Sequence, residues 1–179
     1  MTGVVEVDGW RLTMPKDWWV WKYDDSAFHR NQFQKFAGGS KAMDAVALAA
    51  DGSLWLIELK DYRRNRRTKP GSVFAEVAAK VRATLAGLAT ARTRANDAME
   101  RDRAHQSTAC RQIRIALQLS QSVHPSRLFR QVLDPADAQT QLRREMRAVD
   151  PHALCVVGAM DAPVLPWATV AIPSGKRDG

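Results

Sequence analysis

Three charged side chains in an otherwise apolar stretch are the residues of this chain best suited to chemistry. Asp44 belongs to a first apolar segment, and Glu58 and Lys60 lie two residues apart in a second one. Residues two apart in a β-strand project to the same face. Two carboxylates beside one lysine suit a hard divalent cation and an attacking water molecule. The spacing therefore indicates a hydrolytic site on a β-hairpin.

The length of the hairpin loop decides whether Asp44 joins the other two residues. A two-residue Asp51-Gly52 loop turns Asp44 to the opposite face, away from Glu58. A three-residue loop, with Gly52 in a left-handed conformation, sets Asp44 directly opposite Glu58. Opposed residues have Cβ atoms about 4.5–5.5 Å apart, close enough to share an ion. The sequence thus permits a cluster of Asp44, Glu58 and Lys60 in which a cation offsets the repulsion between the carboxylates.

A solvated ion pair at a strand end is the alternative interpretation of Glu58 and Lys60. Four apolar residues precede Glu58 and Leu59 follows it, a pattern typical of a buried central strand. A carboxylate in such a strand is costly unless it is paired or bound to a metal. We therefore favour the functional interpretation.

A strongly basic segment directly follows the candidate site. The chain has a formal net charge of +8 and a pI near 10, which favours polyanionic partners. Residues 60–69 contribute six basic residues and one acid, so this segment is predicted to contact the phosphates of a nucleic acid. A solvated loop is the alternative. The proposed nucleic-acid-binding residues are Arg63, Arg64, Arg66, Arg67 and Lys69.

The remaining pattern predicts alternating strands and helices around the hairpin. Asp24 or Asp25 is expected to cap a helix near residues 25–36, and the clearest amphipathic helix is expected at about 73–95, with Glu76 and Lys80 as a surface pair. The polar residues 94–109 either continue that helix or form a loop. Most tryptophans are assigned to the core or its rim, and all four histidines to the surface. The other predicted elements are a strand pair within 3–22, strands at 113–119, 153–158 and 167–172, and a helix at 135–148.

Asp44 followed by Glu58-Leu59-Lys60, in the order helix, hairpin, long helix, strand, helix and strand, resembles the PD-(D/E)XK nuclease superfamily. The match spans about residues 24–90, and Met43 stands where the motif has proline. The resemblance implies a restriction-endonuclease-like α/β fold. Its central mixed β-sheet would be flanked by helices and preceded by an N-terminal β-hairpin. A single domain over residues 1–179, with its core at about 24–160, is expected.

The resemblance also implies a role for each matching residue. Asp44 and Glu58 would be ligands of Mg²⁺, for which Mn²⁺ can substitute, and Lys60 would orient or activate the water. With a lowered pKa Lys60 would act as a base, and as a cation it would hold the water or a transition-state oxygen. The implied assisting residues are Asp24 or Asp25 before the hairpin, and Glu76 or Lys80 on the following helix.

The leading hypothesis is a Mg²⁺-dependent nuclease acting on DNA. The alternatives are a catalytically inactive nucleic-acid-binding or interaction module on the same fold, and a protein whose ion pairs merely stabilise its sheet. Expected partners are DNA and either a second copy of the chain or a larger defence or repair complex. The sequence predicts no membrane span, no signal peptide and no structural zinc site. With Cys110 and Cys155 as buried reduced thiols, a cytoplasmic location is expected.

Overall fold

The computed structural model describes residues 2–62, 71–121, 133–158 and 162–172 of the 179-residue chain. Eight β-strands and three α-helices occur in these ranges. The strands are β1 Thr2–Val7, β2 Trp10–Lys16, β3 Trp19–Trp21, β4 Ala45–Leu48, β5 Ser53–Asp61, β6 Gln112–Ser120, β7 Leu154–Val157 and β8 Ala168–Ala171. The helices are α1 Val73–Arg94, α2 Ala98–Thr108 and α3 Pro135–Met146.

The strands form one mixed sheet of five and one antiparallel sheet of three. The five-stranded sheet has the order β3-β4-β5-β6-β7, antiparallel from β3 to β5 and parallel from β5 to β7. Helices α1 and α2 connect β5 to β6, and α3 connects β6 to β7, as parallel neighbours require. The smaller sheet has the order β1-β2-β8. The structure is therefore mixed α/β, with the predicted central mixed sheet, accompanying helices and N-terminal hairpin.

The central sheet is buried on both faces, which explains the continuous apolar run in β5. Leu54 and Leu56 pack in a core shared with α1 and α3, whereas Trp55 and Ile57 pack in a second core shared with β1 and β2. Because side chains alternate along a strand, the Glu58 side chain projects from the same face of β5 as Leu54 and Leu56. Glu58 and Lys60 therefore lie on the side of the sheet that α1 covers.

The hairpin between β4 and β5 has the three-residue loop that sets Asp44 against Glu58. Ala45 pairs with Ile57 and Leu48 pairs with Leu54, and the Ala49 amide donates to the Ser53 carbonyl oxygen at 2.9 Å. Gly52 has a φ of 84°, the left-handed conformation expected of the last loop residue. One step beyond the last ladder pair, this register brings Asp44 level with Glu58. The predicted register is confirmed.

The predicted helix near residues 25–36 is confirmed only in part. The chain is α-helical at residues 27–28, continues as a π-helical turn at His29–Phe33, and then forms a separate 3₁₀ turn at Phe36–Gly38. Neither Asp24 nor Asp25 caps the first turn. The Ser26 hydroxyl accepts the His29 amide at 3.2 Å, and the carboxylate of Glu100 accepts the amides of Ala27 at 2.8 Å and Phe28 at 2.9 Å. A partner 72 or 73 residues away leaves no local sequence signal.

Glu100 belongs to α2, in the segment 94–109 for which the sequence permits either a helix or a loop. Helix α2 is separate from α1, and it begins after Asp97, whose carboxylate accepts the Glu100 amide at 2.8 Å. The other predicted elements are confirmed to within a few residues. Asp134 caps α3 and Pro135 occupies its first turn, as expected.

The predictions for single residue types had mixed outcomes. Four tryptophans are buried and two are half-buried, as expected of core and rim residues. His29, predicted at the surface, is buried between the rings of Tyr23 and Phe33, which pack against α1 at Gly87. Both cysteines are free thiols and half-buried rather than buried. In the described part of the chain, no helix is long and apolar enough to cross a membrane.

Buried hydrogen bonds connect the two sheets. The Gln118 side chain of β6 donates to the Thr169 hydroxyl at 3.1 Å and accepts from the Trp167 indole N–H at 3.1 Å. Thr169 itself lies in β8, which pairs with β2. The three-stranded sheet is thus fixed to the outer face of the central sheet by polar contacts as well as by apolar packing.

Candidate active site

Glu58 is the centre of the charged cluster at the end of the hairpin. Its side chain is 0% exposed. Its Oε1 atom accepts from Lys60 Nζ at 2.6 Å and from Lys80 Nζ at 2.5 Å. Its Oε2 atom is buried and has no hydrogen-bond partner among the described residues. A buried carboxylate oxygen without a partner is costly, and such atoms mark places where a ligand or ion completes the site.

Asp44 directs both of its carboxylate oxygens into the same cluster. Its Oδ1 atom lies 3.2 Å from Lys80 Nζ, and its Oδ2 atom accepts the Leu59 amide at 2.8 Å. Asp44 stands just before β4, and its carbonyl oxygen accepts the Tyr23 amide at 3.1 Å, so its backbone is held beside the chain that follows β3. The hydrogen bond from Leu59 therefore fixes the orientation of Asp44 toward Glu58.

Lys80 is buried beside the two carboxylates, so the predicted surface pair of Lys80 with Glu76 is wrong. Lys80 is 8% exposed and bridges Asp44 and Glu58, whereas Glu76 lies 3.7 Å from Lys60. The reason is the phase of α1: its buried residues include Val77, Lys80, Thr84 and Ala91. A lysine at core spacing in an amphipathic helix was the available signal for its role.

The two aspartates before the hairpin have different surroundings. The exposed Asp25 forms an ion pair with Arg30 at 2.6 Å, and this contact, with the charge of Lys22, lowers the pKa of Asp25. Asp24 is half-buried, with an Oδ1 atom that has no hydrogen-bond partner in the described structure. Burial and then the charge of Asp44 raise the pKa of Asp24 to about 6. Asp24 is therefore the aspartate associated with the cluster.

Burial dominates the electrostatics of the central carboxylate. Desolvation, followed by the charge of Asp44, raises the pKa of Glu58 to about 7, against the opposing charges of Lys80 and Lys60. Desolvation alone would lower the pKa of Lys60, but the charge and hydrogen bond of Glu58 outweigh it, so that pKa is raised. Lys60 is thus a cation in this arrangement rather than a neutral base.

A magnesium ion at this site would need ligands beyond the two carboxylates of the cluster. No three of the histidine, cysteine, aspartate and glutamate side chains in the described ranges lie close enough together to hold a metal. Mg²⁺ commonly binds through one or two carboxylates and completes its shell with water and substrate phosphate oxygens. Asp44 and Glu58 supply two carboxylates, and the unpartnered Glu58 Oε2 is an available ligand atom. Lys80 Nζ holds the position between them.

The basic residues predicted to bind nucleic acid lie outside the described residues. They are Arg63, Arg64, Arg66, Arg67 and Lys69.

No protein-family model matches the chain, and no solved structure matches it. Among curated proteins, it is similar to the cysteine--tRNA ligase of Neisseria meningitidis serogroup A / serotype 4A (strain DSM 15465 / Z2491), with 28% identity over 151 residues. The similarity covers 66% of this chain and 22% of the ligase, so the chain spans less than a quarter of that relative.

Proposed function

We propose that this chain is a Mg²⁺-dependent nuclease with a restriction-endonuclease-like fold, hydrolysing phosphodiester bonds in DNA. The observation that supports the proposal is the buried hairpin end, where Asp44 and Glu58 are level and Lys60 contacts Glu58 at 2.6 Å. Burying two carboxylates and two lysines together is costly and adds little net stability over apolar packing. Buried clusters of charged residues with perturbed pKa values are typical of catalytic sites.

Each residue of the cluster has a role in this proposal. Asp44 and Glu58 would hold the metal ion, which neutralises charge on the phosphate and lowers the pKa of a bound water. Lys60, held by Glu58 and by Glu76 at 3.7 Å, positions the attacking water or stabilises the charge that develops on phosphate oxygen. Asp24, at the edge of the cluster, would offer its unpartnered Oδ1 atom to a water molecule bound there.

The charge of the whole chain supports a polyanionic substrate. A net charge of +8 attracts nucleic acid, and the basic residues 63–69 follow the site directly in sequence. The similarity to a cysteine--tRNA ligase is a reason to test RNA beside DNA.

The test is a cleavage assay on plasmid DNA, linear duplex DNA and transfer RNA, with Mg²⁺, Mn²⁺ or EDTA. We expect metal-dependent cutting of DNA, and a loss of about 100-fold or more in Glu58→Gln, because a ligand to the ion is removed. Lys60→Met is expected to lose a similar factor.

Glu6→Gln is the matched control, since Glu6 is an exposed glutamate that pairs with Arg11 on the surface. It should cut like the wild-type protein. Equal cutting by Glu58→Gln and the wild-type protein would refute the proposed site, and cutting of RNA alone would change the substrate.

An inactive nucleic-acid-binding module is the second candidate, and one observation favours it. Lys80 Nζ already bridges Asp44 and Glu58 at 3.2 and 2.5 Å, so one oxygen of each carboxylate is already paired with a cation of the chain itself. Salt-sensitive binding of DNA without cutting in any metal would support this candidate.

A further inference from the structure

An open cleft adjoins the candidate active site along helix α1. It has a volume of about 550 Å³, which lies in the range of small-molecule and cofactor sites. One wall is the segment from Phe33 to Lys41, and the other is the face of α1. Glu76 and Lys80, both in contact with the charged cluster, line its inner end. A molecule bound in this cleft would therefore lie beside Lys80, the residue that bridges the two carboxylates.

An exposed aromatic ring forms one wall of the cleft. Phe36 is 63% exposed and packs against Phe33 with ring centroids 5.4 Å apart. Small residues, Ala79 and Ala83, line the opposing helix face, so a planar group can approach both the ring and the helix closely. An aromatic ring offers a stacking surface to any nucleobase, whatever its sequence.

Polar and cationic groups complete the lining. Lys41 and Arg82 are exposed and contribute positive charge to the cleft, beside Lys80 at its inner end. Ser40 also lines the cleft, and its Oγ atom is buried without a hydrogen-bond partner in the described structure. The combination of a stacking ring with cations suits a nucleotide, which carries an aromatic base and a negative phosphate.

The concave surface of the cleft continues beyond Phe33 and Phe36 along α1. A second hollow of about 250 Å³ shares Phe33, Phe36 and Ala86 with the cleft and ends at Thr90 and Arg94. From Lys80 to Arg94 the helix rises by about 21 Å at 1.5 Å per residue. This distance accommodates several nucleotides of an extended strand rather than one isolated base.

We propose that this cleft binds an unpaired nucleic-acid strand, with a base stacked on Phe36 and phosphates on Arg82 and Lys41. That the bound strand is a substrate rests on the proposed nuclease function, in which one of its phosphates would be directed toward Glu58 and Lys60. A duplex does not present its bases to such a wall, so the cleft would take single-stranded DNA or RNA, or the unpaired end or flap of a duplex.

The test measures binding in EDTA, so that cleavage does not contribute. Short single-stranded DNA and RNA carrying 2-aminopurine, and a blunt duplex of the same sequence, serve as probes. We expect the single strands to bind more tightly than the duplex and to lose 2-aminopurine fluorescence on stacking. Phe36→Ala should weaken single-strand binding by about 10-fold and abolish the fluorescence change.

Met99→Ala is the matched control, since Met99 is 58% exposed on α2 and does not line the cleft. Arg82→Gln provides a second variant on an exposed helix position and should reduce affinity without removing the stacking signal. Equal affinity of Phe36→Ala and Met99→Ala for the single strand, or tighter binding of the blunt duplex, would overturn the inference.

These experiments distinguish a failure of strand binding in the cleft from a failure of the nuclease proposal. Stacking lost in Phe36→Ala, in a protein that cuts nothing, supports the cleft and contradicts the nuclease. Metal-dependent cutting by a protein that shows no stacking signal supports the nuclease and contradicts the cleft.

Discussion

Lys80 is the residue that keeps the charged cluster intact in the absence of a metal. Its ammonium group lies between Asp44 and Glu58, and both lysines together match the formal charge of the two carboxylates. A divalent cation in the same place would repel Lys80. The proposal therefore implies that Lys80 and the metal ion compete for the carboxylates.

Replacing Lys80 with methionine should separate these two roles. Breaking a buried ion pair leaves uncompensated charge, so we expect Lys80→Met to lower the free energy of unfolding by about 3–5 kcal/mol in EDTA. Mg²⁺ should restore more stability to this variant than it adds to the wild-type protein, because it binds only the folded state. Urea unfolding with and without Mg²⁺ measures both quantities.

Lys22→Met is the control for Lys80→Met. Lys22 lies 3.9 Å from Asp25 in a surface pair, which contributes at most about 1 kcal/mol. This variant should respond to Mg²⁺ as the wild-type protein does. If Lys80→Met were as stable as the wild-type protein in EDTA, the bridging role of Lys80 would be wrong.

His29 should make the stability of the protein sensitive to mild acid. Burial, and then the charge of Lys80, lower the pKa of His29 in the folded state. The unfolded chain therefore binds the proton more tightly, and the stability from a neutral His29 is lost as the pH falls through the ordinary histidine pKa of about 6.5.

The comparison is His29→Phe, which keeps a ring beside Tyr23 and Phe33. Between about pH 7.5 and pH 5.5, the wild-type protein should lose more of its unfolding free energy than His29→Phe. Glu58 and Asp24, whose raised pKa values act in the opposite direction, are present in both proteins and cancel. Parallel stability profiles for the two proteins would contradict the prediction.

At the scale of elements, the site depends on how closely α1 approaches the segment before the hairpin. A Cβ atom at Gly87 would lie 2.3 Å from the Tyr23 Oη atom and 3.3 Å from the Phe33 ring. Gly87 is thus required by a close approach and not by its backbone conformation. This contact sets the distance between α1 and the chain that leads to Asp24.

Gly87→Ala should therefore destabilise the protein although alanine favours helix by about 1 kcal/mol. We expect a net loss of about 1–3 kcal/mol from overpacking. Tyr23→Phe removes the Oη atom, which has no hydrogen-bond partner in the described ranges, and should cost little by itself. Gly87→Ala should lower the free energy of unfolding by less in the Tyr23→Phe background than in the wild-type protein. Urea unfolding of the wild-type protein, the two single variants and the double variant measures this coupling. Additive effects would show that this contact is not limiting.

The elements that the sequence predicted are those with local signals. The register of the hairpin followed from alternation and from Gly52, and α3 from Asp134 and Pro135. The helix predicted near residues 25–36 is confirmed only over residues 27–33, and part of its N-terminal capping comes from Glu100 of α2, far along the sequence. The surface position predicted for Lys80 is wrong because apolar residues alone defined the predicted buried face of α1. The spacing of Lys80 from Val77 and Thr84 is that of the buried face.

At the scale of the whole molecule, charge should govern the affinity for nucleic acid. If residues 63–69 contact phosphates, neutralising Arg66 and Arg67 reduces the number of released counterions. The slope of log affinity for duplex DNA against log salt should fall by about 2 in the Arg66→Gln, Arg67→Gln variant. Filter binding in EDTA over a salt series gives this slope.

The control carries the same change in charge at two other exposed arginines, Arg11 and Arg144. Its affinity should change slightly and its slope should stay at the wild-type value. Equal slopes for the two double variants would show that net charge, and not the basic segment, determines the binding.

The hydrogen bonds between Gln118 and the residues around β8 bear on how the protein folds during synthesis. Strand β2 emerges from the ribosome early, but its neighbour β8 is the described strand that emerges last. Until Trp167 and Thr169 are made, the buried Gln118 amide lacks both of these partners. The nascent chain can assemble the central sheet with its helices first, and the outer layer closes only when the last of these residues has left the exit tunnel.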